Sequence, residues 1–224
     1  TMLDNYVFAY IFSSFCLLIL INGSNFIDGL NGLLISYSLI VIFILGNLGL
    51  VNDTIISDQH FNLVVVLILL LLLLNVLNIL MLGDSGAYLL GFLIGFIIIN
   101  SHKNNPGITP YFYISLIWYP CFENLFSIIR KLNKKLSPLN PDNKHLHQLI
   151  FFLIKKKLKL SIIASNNISS VALIFFNYLI IHICSLNPNS TIYQVKLIVC
   201  AIIFYISGYF LLNKFYKLNF KIKK

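Results

Sequence analysis

Long uncharged apolar stretches alternate with short polar segments along this 224-residue chain. The apolar runs fall at about 6–21, 33–51, 62–82, 86–100, 111–129, 169–186 and 195–213. A helix needs about 20 such residues to cross the hydrocarbon of a bilayer. The pattern therefore predicts an all-α polytopic membrane protein with about seven transmembrane helices.

The composition agrees with this prediction. Hydrophobic residues make up 58% of the chain, charged residues only 10%, and the mean hydropathy is +0.88. A soluble domain is nearer half apolar and a quarter charged. The four cysteines lie singly in or beside apolar runs, which indicates neither a disulfide framework nor a zinc site. The composition thus excludes an ordinary soluble enzyme or binding domain.

The basic residues are unevenly distributed between the predicted loops. Of the 16 lysines and arginines, only Lys103 and Lys196 fall near one side; the others lie in the connection after the fifth run or in the C-terminal tail. Cytoplasmic loops carry an excess of Lys and Arg. We therefore expect that connection, the C-terminus, and the segments 22–31 and 83–86 to face the cytoplasm.

Polar residues interrupt the apolar pattern first between Asn22 and Gly32. Asn22, Asn25, Asp28 and Asn31 recur every three residues among several glycines. On helical or tightly turned backbone such a row stays near one face. A plain polar turn between two helices is the alternative, although it explains the period less well.

Gly83-Asp84-Ser85-Gly86 is the second interruption, and it follows 22 uncharged residues. An acid between two membrane-length runs is costly and usually faces a cavity or a partner. Asp84 could be the N-cap of the following helix. It could equally be an oxygen ligand for Mg²⁺, which proteins hold with one or two carboxylates and substrate phosphates.

The third polar segment, 137–148, contains Asp142, Lys144, His145 and His147 within six residues. Imidazole and ammonium groups can bind or neutralise oxyanions. A His-x-His metal pair and a solvated basic loop are the alternatives. In the fifth run Glu123 is expected to have a structural role, by pairing with a cation or shaping a cleft.

Taken together, carboxylates, amides and imidazoles converge on one membrane face. Such a face suits a reaction between an anionic water-soluble donor and a lipid-borne acceptor, and no nucleic-acid partner is expected. Mg²⁺ would screen a pyrophosphate there, and the amides would bind a base or a sugar.

In order and spacing, the motifs at 25–32, 83–86 and 141–147 resemble those of the polyprenyl-phosphate N-acetylhexosamine-1-phosphate transferases, glycosyltransferase family 4. The resemblance is closest to the polysaccharide-initiating branch, and it covers nearly the whole chain. It implies transfer of a sugar-1-phosphate from a UDP-N-acetylhexosamine to polyprenyl (undecaprenyl) phosphate, with release of UMP. The implied cofactor is Mg²⁺, with Mn²⁺ as an alternative, and the resemblance is compatible with a homodimer. It also implies that the protein lies in a bacterial inner (cytoplasmic) membrane.

The resemblance also implies a role for each matching residue. Asp84 corresponds to the family's metal-binding aspartate, and Asp28 lies beside the reacting phosphates. His145 and His147 correspond to the histidine motif that closes over the donor; these four are the expected catalytic residues. The expected nucleotide- and substrate-binding residues are Asn22, Asn25, Asn31 and Lys144.

Several positions depart from the family pattern. Asn31 stands where many members carry a second Asp, Asn143 where an Arg is frequent, and Gln148 where a third His is frequent. The family's Asp-Asp motif, implicated in engaging the prenyl phosphate, has no counterpart. We therefore expect residues 1–224 to form one transmembrane transferase domain that lacks the family's N-terminal helices, with 130–168 as a cytoplasmic basic loop that carries the His motif. An inactive copy or fragment of the family and a membrane transporter fragment are the alternatives.

Overall fold

A computed structural model gives the fold, and it describes residues 6–51, 58–135, 137 and 144–220. Asp142 and Asn143 of the third motif lie outside these residues. The described part of the chain contains nine α-helices, which are α1 (Tyr6–Ile27), α2 (Leu33–Asn47), α3 (Asp58–Val76), α4 (Gly83–Asn104), α5 (Pro110–Leu116), α6 (Trp118–Asn133), α7 (Leu146–Leu158), α8 (Ile162–Ser185) and α9 (Thr191–Phe220).

The all-α prediction is confirmed, whereas the count of seven transmembrane helices is not. Among the described residues, α1, α4, α8 and α9 are long and apolar enough to cross a membrane, and the bent pair α5–α6 would make a fifth span. Helices α2 and α3 are apolar but shorter. Large apolar side chains are exposed along the helices, such as Leu211 of α9 at 70%. Exposure on this scale suits contact with lipid.

The fifth apolar run folds as two helices rather than one, and they meet at an angle of 74°. The cause is Pro120, which has no N–H to donate to the carbonyl of Leu116 four residues earlier. The buried Tyr37 hydroxyl donates to that Leu116 carbonyl oxygen instead, at 2.7 Å. The Leu116 carbonyl therefore keeps a hydrogen-bond partner despite the bend.

The third run also differs from its predicted extent, because α3 ends at Val76 and not near residue 82. Asn78 adopts a left-handed conformation with φ of 59°, which ends the helix. The Asn75 side chain donates to the carbonyl oxygen of Leu80 at 2.9 Å and so holds the following segment. Asp84 is consequently separated from α3 by a non-helical connection.

Helix α2 lies at the centre of the packing, with nine buried residues in its 15. It packs against α3, α4 and α8, while α1 packs against α4 and α6, and α7 packs against α8 and α9. The glycine before α2, Gly32, has a φ of +75° and donates its N–H to the buried Asn75 side chain. A left-handed conformation costs glycine little.

The connections meet at two opposite ends of this bundle. At one end, Thr109 contacts the α8–α9 connection through Pro188 and Thr191, and Asn105 contacts Leu50. The 22–32 segment, the start of α4 and the start of α7 meet at the other end. The sequence predicted that these three segments lie on one side of the membrane, because successive membrane-crossing helices run in opposite directions. The candidate site lies at that second end.

Candidate functional site

The first two sequence motifs are in direct contact. The Asn25 side chain, in the last two turns of α1, donates from Nδ2 to Oδ1 of Asp84 at 2.8 Å. Asp84 is exposed and is the second residue of α4. The N-cap position belongs to Leu82, so the N-cap alternative for Asp84 is wrong. Its carboxylate instead lies in the first helical turn, where the helix dipole favours negative charge.

A glycine allows α1 and α4 to approach closely enough for this contact. A Cβ on Gly91 would lie 2.7 Å from Oγ of Ser24 and 3.1 Å from Cα of Ile21. Both distances are tighter than ordinary van der Waals contact. Gly91 is therefore part of the reason that Asn25 reaches Asp84.

Asp28 follows the end of α1 and is half-buried. Burial raises the pKa of its carboxyl group from 3.8 to about 7, and the neighbouring charge of Asp84 adds to the rise. A carboxyl group with a pKa near neutrality can gain or lose a proton at physiological pH. Asp28 and Asp84 thus differ in environment although they lie near each other.

The donor set at this end is compatible with Mg²⁺. Two carboxylates and a side-chain amide provide hard oxygen atoms, which Mg²⁺ prefers. Across the described ranges no group of three or more His, Cys, Asp or Glu side chains could hold a metal ion by itself. A site that shares its ion with substrate phosphates fits such a set better than a metal centre built from protein ligands alone.

The third motif packs against the first. His145 is buried and precedes α7, and its ring lies 5.2 Å between centroids from Phe26 in the last turn of α1. Nδ1 of His145 lies 2.8 Å from Oε1 of Glu123 on α6. The Gln148 side chain accepts the backbone N–H of His145 at 3.2 Å, and so caps the start of α7. The departure at Gln148 therefore has a structural use.

His147 is buried against the turn that follows Asp28. A Cβ on Gly29 would lie 2.3 Å from Nε2 of His147, so the absence of a side chain at Gly29 makes room for this ring. Within the described ranges, neither ring nitrogen of His147 has a hydrogen-bond partner. Burial lowers its pKa from 6.5 to about 4; the charge of Glu123 opposes this shift, and His145 adds to it. His147 is therefore neutral at pH 7.

A cavity of about 250 Å³ opens between the Gly29 turn and α7. Its lining is Gly29, Leu30, Gln148, Phe151, Phe152 and Asn166. Ligand pockets of small molecules usually measure about 300–1,000 Å³. The cavity is therefore slightly smaller than a typical ligand pocket.

The remaining candidates have other contacts. Asn22 is exposed and donates to the carbonyl oxygen of Leu18 in its own helix. Asn31 donates from its side chain to Asn78 at 3.3 Å and from its backbone N–H to Asn166 at 2.8 Å. The row with a period of three therefore divides: Asn25 and Asp28 lie near Asp84, whereas Asn31 links the turn to the connection after α3 and to α8. The backbone carbonyl of Lys144 accepts a hydrogen bond from Arg130.

Two residues near the histidines were given no chemical role by the sequence. Glu123 was expected to be structural, and Tyr205 lies in an apolar helix with nothing to single it out. The structure brings both into contact, with the Tyr205 hydroxyl 2.5 Å from Oε2 of Glu123. The position of Glu123, an acid inside an apolar run, was the sequence signal that could have indicated a functional role.

The fold indicates a class, a multi-pass α-helical membrane protein, and acidic and histidine side chains form a candidate site where its helix ends meet. Comparison with known proteins gives the family. Residues 2–102 match the sequence model of glycosyl transferase family 4. The matched region includes the motifs that contain Asn25, Asp28 and Asp84.

Curated relatives extend the similarity beyond that region. The chain is 27% identical over 154 residues to the undecaprenyl-phosphate alpha-N-acetylglucosaminyl 1-phosphate transferase of Escherichia coli K12. The aligned region covers 64% of this chain and 41% of the relative. The chain is 30% identical over 146 residues to the protein of that name from Thermotoga maritima, with 65% and 44% covered. The chain thus spans under half the length of these relatives. No solved structure matches it.

Residues 2–102, which are under half of the chain, therefore resemble glycosyl transferase family 4, and the chain is a distant homologue of the undecaprenyl-phosphate N-acetylglucosamine-1-phosphate transferases over about 64% of its length.

Proposed function

We propose that this chain carries the donor site of a sugar-1-phosphate transferase. In this reaction N-acetylhexosamine-1-phosphate moves from a UDP-sugar to polyprenyl phosphate, and UMP is released. The names of the relatives, which contain undecaprenyl phosphate and N-acetylglucosaminyl 1-phosphate, support this substrate class.

The observation that carries the proposal is the convergence of three motifs that are far apart in the sequence. Asn25 contacts Asp84 at a separation of 59 residues, and Phe26 contacts His145. Polar side chains at helix ends can serve many purposes, but their convergence in one place indicates a site. An anionic donor suits this end of the bundle because its carboxylates could share Mg²⁺ with donor phosphates, and its amide and imidazole groups can bind phosphate oxygens.

The proposed reaction is a direct phosphoryl transfer. An oxygen of the lipid phosphate attacks the β-phosphorus of the UDP-sugar and forms the new P–O bond. The bond between that phosphorus and the oxygen bridging to the α-phosphate breaks, and this oxygen leaves with UMP. Phosphate monoesters are largely ionised near pH 7, because their second pKa is about 6, so a strong general base is unnecessary.

Each residue at the site has a role in this proposal. Asn25 holds the Asp84 carboxylate in one orientation through its 2.8 Å hydrogen bond. Asp28 orients the attacking phosphate and can accept its remaining proton. His145 and Lys144, at the start of α7, face the donor phosphates, while the buried His147 supports the turn that carries Asp28.

Asp84 would hold Mg²⁺ together with the donor phosphates. A bound Mg²⁺ would neutralise part of the negative charge of the donor pyrophosphate. The carboxylate of Asp84 suits this purpose because it is exposed and lies at the open end of α4.

The experiment that tests this proposal supplies membranes containing the chain with UDP-N-acetylglucosamine labelled in its sugar, polyprenyl phosphate and Mg²⁺. We expect UMP and a labelled lipid to form together, and to disappear when Mg²⁺ is chelated. Uptake of label into vesicles without a lipid product would contradict the proposal and favour a transporter. A failure to form either product would favour an inactive copy.

A further inference from the structure

We propose that Glu123, assisted by Tyr205, is a positioning residue that fixes the ring of His145 toward the donor phosphates. This inference rests on the proposed function, since it assigns His145 a ligand. It adds a part of the site that lies inside a candidate membrane span, away from the three motifs.

The first argument is the burial of Glu123. It is 1% exposed and lies on α6, in the bent pair that makes a candidate span. An acid at such a position is costly unless it is paired and hydrogen-bonded. Glu123 meets this condition, because both of its carboxylate oxygens have a partner.

The second argument is the direction of the two hydrogen bonds. The Tyr205 hydroxyl donates to Oε2, and the ring nitrogen Nδ1 of His145 donates to Oε1 at 2.8 Å. A carboxylate that accepts from Nδ1–H fixes both the tautomer and the orientation of the ring. Donation from Nδ1 leaves Nε2 of His145 as the unprotonated ring nitrogen, which is the form that can accept a hydrogen bond from a ligand.

The third argument is that α6 holds the same segment at a second point. Arg130 lies two helical turns after Glu123 on α6, and its guanidinium donates to the carbonyl oxygen of Lys144 and to the hydroxyl of Tyr209. Residues seven apart lie on one face of a helix. One face of α6 therefore holds both the backbone before His145 and the ring of His145.

Aromatic packing completes the restraint. The His145 ring contacts Phe26, at 5.2 Å between centroids, and His147, which is stacked at 5.6 Å with an interplanar angle of 11°. Stacking limits tilting of the ring, while the bond to Glu123 limits its rotation. Loss of Glu123 would therefore allow the His145 ring to rotate, while stacking would still hold the ring at its position.

A spectroscopic test does not depend on transferase activity. Two-bond proton–nitrogen spectra of the ¹⁵N-histidine-labelled chain in detergent distinguish an imidazole protonated at Nδ1 from one protonated at Nε2. His145→Gln identifies the His145 signals among the five histidines. We expect the Nδ1–H form in the wild type, and a move toward the Nε2–H form or an average of both in Glu123→Gln and Glu123→Ala.

Asn124→Ala is the matched control. Asn124 is the next residue on α6, is also buried, and donates to the carbonyl oxygen of Ile19 on α1, away from His145. It should weaken the packing of α6 and leave the His145 signals unchanged. If Glu123→Ala does not fold, Glu123→Gln and Tyr205→Phe provide the same comparison with smaller changes of shape.

Kinetics of lipid-product formation provide the second readout. We expect Glu123→Gln to lower kcat by about 10- to 100-fold, the usual effect of removing a group that orients a site residue. The KM for the UDP-sugar should change much less, and Tyr205→Phe should have the smaller effect. Wild-type His145 signals in both Glu123 variants, or an equal loss of kcat in Asn124→Ala, would overturn the inference. A wild-type chain with the expected signals but no transfer would count against the proposed function instead.

Discussion

Two carboxyl groups of the site differ in ways that the sequence could not distinguish. Asp84 is exposed at the start of α4, whereas Asp28 is half-buried just after the end of α1. Burial and the charge of Asp84 together raise the pKa of Asp28 to about 7. The two acids therefore suit different tasks. Asp84 suits binding of a metal ion, and Asp28 suits proton transfer or the orientation of a phosphate.

The raised pKa of Asp28 makes a prediction about stability. The folded chain holds this proton more tightly than the unfolded chain, so ionisation of Asp28 lowers stability as the pH rises from about 4 to about 7. Asp28→Asn removes that cost. We expect the variant to melt at a higher temperature than the wild type at about pH 8, and at the same temperature at about pH 4.

Thermal unfolding of the detergent-purified protein across this pH range checks the prediction. Parallel melting curves for wild type and variant at every pH would contradict it. Because Asp28 is proposed to serve the attacking phosphate, the same variant should also lose transfer activity. A gain in stability with a loss of activity is common for buried groups at functional sites.

At the residue scale, the sequence predicted the polar contacts better than the buried ones. The motifs containing Asn25, Asp28, Asp84 and His145 were recognisable because they interrupt apolar runs. The packing of His147 against Gly29 and the bond between Glu123 and Tyr205 were not predictable. Both depend on which helices become neighbours, and periodicity alone does not contain that information.

Helix packing can be tested with two glycines that lie within helices. In Gly91→Ala the new Cβ would lie 2.7 Å from Oγ of Ser24, so α1 and α4 must separate slightly. We expect a destabilisation of about 1–3 kcal/mol, as for other overpacked sites. The shift should also weaken the contact between Asn25 and Asp84 and lower transfer activity.

Gly208→Ala in α9 is the matched control. A Cβ on Gly208 meets nothing within 4 Å. The same substitution should therefore stabilise the chain by about 0.5–1 kcal/mol, because alanine loses less conformational freedom in a helix. Chemical denaturation in mixed micelles measures both changes. Equal effects at the two positions would contradict the close approach of α1 and α4.

At the scale of elements, the apolar runs predicted where helices occur but not all of their ends. Pro120 is a sequence signal for the bend of the fifth run. The hydrogen bond from Tyr37 to the Leu116 carbonyl, which replaces the missing N–H of Pro120, becomes evident only from the packing of α2. The early end of α3 depends on Asn75 and Asn78, which read as ordinary members of an apolar run. Local backbone chemistry overrode hydropathy in both places.

The whole molecule brings the site to one end of the bundle, and the distribution of lysines predicts which side of the membrane that end faces. We expect Lys157 to be cytoplasmic and Lys103 to lie on the opposite side. In a cysteine-free background, Lys103→Cys should react with an impermeant maleimide in intact cells. Lys157→Cys should react only after permeabilisation.

The reverse labelling pattern would contradict the predicted orientation. It would also contradict the proposed function, because a UDP-sugar is supplied from the cytoplasm. The resemblance to glycosyl transferase family 4 and the general architecture followed from the sequence, whereas the number of membrane-crossing helices did not. Run length alone did not reveal that α2 and α3 are short.

The central claim is that the end of the bundle with Asp84 supports transfer of a sugar with its phosphate. UDP-N-acetylglucosamine labelled with ³²P in the β-phosphate measures this directly, since the label follows the bond that breaks. We expect the label to enter the lipid fraction in a one-to-one ratio with released UMP, and Asp84→Asn to lower the rate by about 100-fold or more. Label that stays with the nucleotide, or an Asp84→Asn variant with nearly normal turnover, would contradict the account.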